Sequence, residues 1–92
     1  MEKTVNKMMR IVRGDTDGSL VYADMLLSIL NREHKVDIGY WCYKADLDDF
    51  NTIIEVMRNH GSDMFWEFEN CVLPHVDELR DYVNKNKGER ND

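Results

Sequence analysis

Leu20, Val21, Ala23, Met25, Leu26, Leu27, Ile29 and Leu30 cover most of the circumference of a helix drawn from Ser19 to about Arg32. A helix that is apolar on nearly all sides must be enclosed by its own chain or by a subunit contact. Burial within the chain is the reading adopted, with Ser19 as the candidate N-cap. The stretch is interrupted by Asp24 and is too short to span a bilayer, and Met1-Glu2-Lys3-Thr4 carries no apolar signal region. The expectation is therefore a soluble, cytoplasmic chain that does not engage a membrane. Its 42% apolar and 33% charged residues lie in the globular range, which sets aside a disordered tail.

The other periodicities are consistent with helices around that core. Val5, Met8, Met9 and Val12 recur at helical spacing, giving a helix over about 2–13 that stops at Gly14-Asp15-Thr16-Asp17-Gly18. Asp46 with Asp49 reads as a capped start, and Leu47, Phe50, Ile53, Ile54 and Met57 then fall on one side of a helix that ends at Gly61. From Ser62 to about Asn84, Phe65, Phe68, Val72, Val76, Leu79 and Val83 keep one direction while Asp63, Glu67, Asp77, Glu78 and Asp81 keep the opposite one. Because the phase persists across Pro74, one long helix bent at Pro74 is expected, followed by a frayed tail over 85–92.

Lys35 to Lys44 is ambiguous. Val36, Ile38, Tyr40 and Cys42 alternate with Asp37, Gly39, Trp41 and Tyr43 as in a strand, yet a lone strand leaves its backbone groups unpaired. Either a short extended segment at 36–43 pairs with its copy in another subunit, or a short helical or irregular connection plugs the core with three aromatics. The second is preferred. The expected fold is all-α, a compact bundle of about four helices forming a single domain over 1–92.

Charge is distributed unevenly. Between Gly14 and Asn84 fifteen acidic residues stand against five basic ones, whereas the first thirteen residues sum to plus three. Lys3, Lys7 and Arg10 form a basic stripe on the first helix, read as a solvated face or a lid over acidic neighbours. From Asp63 to Asp81 six acids and one base give about one net charge per 5 Å of helix, sparser than the one per roughly 3.4 Å of a single DNA strand. The polar side of the preceding helix, with Asp48, Asp49 and Glu55, together with dimerisation, would raise that density.

No motif for chemistry competes with this pattern. Asp15-Thr16-Asp17-Gly18, with Leu20 and Asp24, approximates a calcium loop, but the register puts Arg13 at the first ligand position. Cys71 and His75 lie at i, i+4, with His60 or Cys42 as conceivable further ligands, and both border an apolar face where packing accounts for them. There is no C-x-x-C, no phosphate loop and no nucleophile elbow. No catalytic residue, cofactor or metal ligand is assigned.

In its short uninterrupted domain, its Met- and Asn-rich composition and its stripe Asp63, Glu67, Asp77, Glu78 and Asp81, the chain resembles the small acidic inhibitors of tailed phages, the anti-restriction DNA mimics. That resemblance implies a non-enzymatic protein, acting in the host cytoplasm if phage-encoded, that occupies the cationic groove of a DNA-binding protein and does not bind nucleic acid directly. The expected binding surface is Asp48, Asp49, Glu55, Asp63, Glu67, Asp77, Glu78 and Asp81, on a homodimer. The alternative is a helical adaptor that associates through apolar surface, with Trp41, Tyr43, Trp66 and Leu73 as anchors.

Overall fold

The apolar segment does form a helix, and the chain encloses it. In the computed structural model, which describes residues 1–90 and side chains through Lys87, α1 spans Glu2–Arg13 and α2 Ser19–Leu30. They are followed by α3, Ile38–Lys44, α4, Leu47–Arg58, and α5, Asp63–Val72. A 3-10 turn, Leu73–His75, then leads into α6, Val76–Arg90. Every residue of α2 from Ser19 to Leu27 is buried, as is Ile29. α1, α3, α5 and α6 all pack against it, so a single chain supplies the enclosure that a subunit contact would otherwise have to provide.

No strand occurs among the described residues, and no helix there is long and apolar enough to cross a membrane. The radius of gyration, 12.4 Å, is close to the roughly 12 Å expected for a compact chain of this length.

The α1–α2 turn is fixed differently from the expectation. Gly14 is right-handed, φ −69°, and the residue that reverses the chain is Asp15 at φ +51°. Aspartate tolerates this left-handed region better than most residues with a Cβ. Gly18, not Ser19, is the N-cap. Ser19 sits fully buried in the first turn, where its Oγ accepts from the Thr16 N–H at 2.8 Å and donates to the Ile11 carbonyl at 2.6 Å. One hydroxyl thus ties the end of α1 to the start of α2.

The ambiguous segment is helical from Ile38, so the extended reading of 36–43 is corrected. Asp37 caps α3 by accepting from the Tyr40 N–H at 3.0 Å, a local bond that rewards helix over strand. Only one of its three aromatics plugs the core: Trp41 is 1% exposed and meets the Tyr22 ring edge-on at 4.6 Å, whereas Tyr40 and Tyr43 face outward beneath the Lys44 ammonium.

Asp46 caps α4 as expected, its carboxylate accepting from the Asp48 N–H at 3.1 Å, but Asp49, expected to share that cap, turns into the interior. Its buried face is not the predicted one. Asp49, Ile53 and Val56 are buried, while Leu47, Ile54 and Met57 are exposed. Gly61, at φ +86°, ends the helical region, and Ser62 then caps α5 through the Phe65 N–H.

The long helix bent at Pro74 is replaced by two α-helices joined by the 3-10 turn, which raises the count to six α-helices among the described residues. Phe65, Phe68, Val72, Leu79 and Val83 are buried across that junction, as the shared phase required, and Val76, the sixth member of that face, is half-buried. The tail expected to fray from Lys85 is helical through Arg90, and Lys87 is ion-paired to Asp24; residues 91–92 lie outside the described residues.

Candidate acidic interaction surface

The helices divide the predicted acidic residues into three groups. Asp49 is 1% exposed and belongs to the interior. Its carboxylate accepts from the Tyr22 hydroxyl at 2.8 Å and faces the Lys7 ammonium at 3.3 Å, and Lys7 also donates to Asp46 at 2.9 Å. A buried carboxylate without such partners would be strongly disfavoured, so the basic stripe of α1 here acts as an internal counter-charge. The hydrogen bond from Lys7, chiefly, holds the Asp46 carboxyl below its usual range, and the same contact raises the Lys7 ammonium to about 12. Tyr22 is pushed up to about 12 by burial in the first place. Asp49 therefore leaves the expected binding surface.

Glu78 forms the second group. Arg13 grips it with both Nε, at 2.7 Å, and Nη2, at 2.9 Å, a bidentate fork that closes α6 onto the end of α1. That hydrogen-bonded guanidinium lowers the Glu78 carboxyl from its usual range. Although Glu78 is exposed, its charge is answered within the fold.

Asp48, Glu55, Asp63, Glu67, Asp77 and Asp81 make up the third. All six are exposed, and none is in an ion pair among the described residues. Asp48, Asp63 and Asp77 lie in the first turns of α4, α5 and α6, where a carboxylate is favoured by the positive end of the helix, by about 0.3–1 kcal/mol. Glu55, Glu67 and Asp81 have no such local reason for their charge. α4 packs on α5, and α5 leads through the 3-10 turn into α6, so the six occupy consecutive, connected elements.

Lys3 and Arg10 of the basic stripe remain exposed, outside any ion pair among the described residues. Of the apolar anchors, Trp41 is core and is withdrawn from the expected interface, while Tyr43, Trp66 and Leu73 are 78%, 52% and 53% exposed. Sequence reasoning missed Ile38 and Leu47, 52% and 70% exposed, which put further apolar surface on α3 and the start of α4. Leu47 was concealed by its place on the apolar side of a helix and Ile38 by the strand-like alternation of its segment.

The remaining titratable groups are dispersed. Asp24, which a calcium loop would have used as its last ligand, instead pairs with His34 Nε2 at 2.7 Å and Lys87 Nζ at 2.9 Å. No group of three or more His, Cys, Asp or Glu side chains is arranged to hold a metal ion among the described residues. Cys42 is exposed, Cys71 is half-buried, and His60 lies against the Phe65 ring at 4.3 Å. No protein family, curated protein or solved structure matches this chain.

Proposed function

We propose that this protein is a non-enzymatic inhibitor of the DNA-mimic type, whose carboxylates on α4, α5 and α6 occupy the cationic groove of a DNA-binding protein in the cytoplasm, with two copies forming the active unit. The observation that carries this reading is the set Asp48, Glu55, Asp63, Glu67, Asp77 and Asp81, exposed and without an internal counter-ion among the described residues. A protein that grips DNA commonly makes about 6–10 phosphate contacts, so six free carboxylates match the lower end of that range and a dimer would cover it. A duplex as long as the molecule's 41 Å axis carries roughly 24 phosphates, so the mimicry replaces contacted phosphates, not the whole charge of DNA.

Glu55, Glu67 and Asp81 make the discriminating test because reversing them leaves every helix start intact. The wild-type protein and the E55K/E67K/D81K variant are used to capture partners from a bacterial lysate at about 0.05 M and about 0.5 M salt, where screening differs severalfold. DNA-binding proteins retained by wild type at low salt only, and not by the variant, are the expected outcome. Retention that ignores both salt and charge reversal overturns it.

The exposed Ile38, Tyr43 and Leu47 favour the adaptor as a second reading. Under it, Y43S/L47S abolishes capture while the charge reversals do little.

A further inference from the structure

Between the end of α2, the segment leading to α3, and the α4–α5 turn lies a cleft of about 280 Å3 whose lining is chemically divided. Its wall is apolar, made by Ile29, Met57 and Phe65, and its rim is cationic or imidazole-bearing, made by Arg32, His34 and His60. None of these residues belongs to the acidic set.

The two imidazoles of the rim are held in place by their neighbours. The buried Asp24 carboxylate holds His34 through Nε2 at 2.7 Å, and Phe65 supports the His60 ring at 4.3 Å. Arg32 makes no ion pair or side-chain hydrogen bond among the described residues, although Glu33 and Glu69 line the adjoining groove with it. An exposed guanidinium lining the same cleft as hydrocarbon side chains is complementary to an anion with an apolar body, because the planar fork can donate two hydrogen bonds to a carboxylate while the body displaces water from the wall. The volume is just below the roughly 300 Å3 at which ligand pockets generally begin, so the occupant is small.

We propose that this cleft binds a small organic carboxylate bearing a hydrocarbon chain or ring, its head on Arg32 and His60 and its body against Ile29, Met57 and Phe65. Trp66, whose ring centroid is 6.0 Å from that of Phe65, provides an internal reporter.

The full chain is titrated with octanoate, with octanol as the same body without charge, and with acetate as the head without a body, following amide NMR shifts and tryptophan fluorescence. Octanoate is expected to shift the Arg32, His60 and Phe65 amides saturably, with octanol and acetate each at least about tenfold weaker, the effect of one charge-assisted contact or of several buried methylenes. R32M should weaken octanoate about tenfold with an unchanged melting temperature, and R80M, whose side chain lines a different cavity, should leave it unaltered. Equal binding of octanoate and octanol, wild-type affinity in R32M, or no saturable shift by roughly 10 mM octanoate, a concentration at which only the weakest specific sites stay empty, overturns the proposal.

Discussion

At the residue scale, the largest difference between what the chain suggests and what it does concerns Asp49 and Trp41. Asp49 reads as surface, whereas Trp41 reads both as a core plug and as an interface anchor, and both are almost fully enclosed because of partners distant in sequence, Lys7 and Tyr22 for the carboxylate and Tyr22 for the indole. Period and spacing carry no information about such contacts. D49A should therefore destabilise the fold by roughly 1–3 kcal/mol in urea unfolding, since it leaves the buried Tyr22 hydroxyl without its acceptor, while Lys7 keeps Asp46. A loss below about 0.5 kcal/mol, the size of an ordinary surface substitution, would show that Asp49 is a solvated side chain after all. W41A should cost about 3–5 kcal/mol, as for other buried aromatics. W41F should cost less than volume alone implies, because the indole Nε1 is buried without a hydrogen-bond acceptor among the described residues and phenylalanine removes that donor. Tyr22 adds a pH signature. Its phenol is raised to about 12, so the neutral form is the one the fold favours. The associated stability is complete below the ordinary tyrosine range near pH 10 and falls as pH rises toward 12. In an ultraviolet titration one tyrosine should ionise late, together with unfolding, and Y22F should lack that late step.

At the element scale, what was legible depended on whether a helix is defined by itself or by its neighbours. α1, α2 and the buried face of α5 and α6 follow from apolar spacing alone, and Asp46, Gly61 and Ser62 mark starts and stops by local chemistry. The 3-10 turn was not legible because three residues at about 120° instead of 100° add only some 60° of rotation, which a phase argument spread over two dozen residues absorbs. α3 was obscured by a different cause. Its alternating apolar residues imitate a strand, and the decisive contribution comes from the Asp37 carboxylate on the Tyr40 N–H, a single bond at the edge of the segment. D37A should accordingly loosen α3 by about 1 kcal/mol, seen as faster amide exchange at Tyr40 and Trp41, with α1 and α2 unaffected. Uniform acceleration across all helices would instead assign Asp37 a role in the global fold.

At the scale of the whole molecule, the fold divides its charges into those that hold helices together and those left to the outside. The first class joins distant parts of the chain: Lys7 to Asp46 and Asp49, Arg13 to Glu78, Lys87 and His34 to Asp24. The Asp46 and Glu78 carboxyls are lowered by their cationic partners, so their contribution to stability is present above the unfolded carboxylate range near pH 4 and is lost as pH falls through their folded values. The second class, Asp48, Glu55, Asp63, Glu67, Asp77 and Asp81, lacks such partners among the described residues and should behave in the opposite sense. Their mutual repulsion is relieved by salt and by protonation, so neutralising them should stabilise the fold slightly or leave it alone. Comparing E55Q/E67Q/D81Q with E78Q across pH 3 to 7 separates the two classes in one measurement. The triple variant should keep the wild-type melting temperature at neutral pH within a few degrees, and E78Q should lower it at neutral pH while converging with wild type in acid. If the triple variant also melts early at neutral pH, Glu55, Glu67 and Asp81 are internal supports, and only Asp48, Asp63 and Asp77, at helix starts, are left to present to a cationic partner, too few for the proposed mimicry.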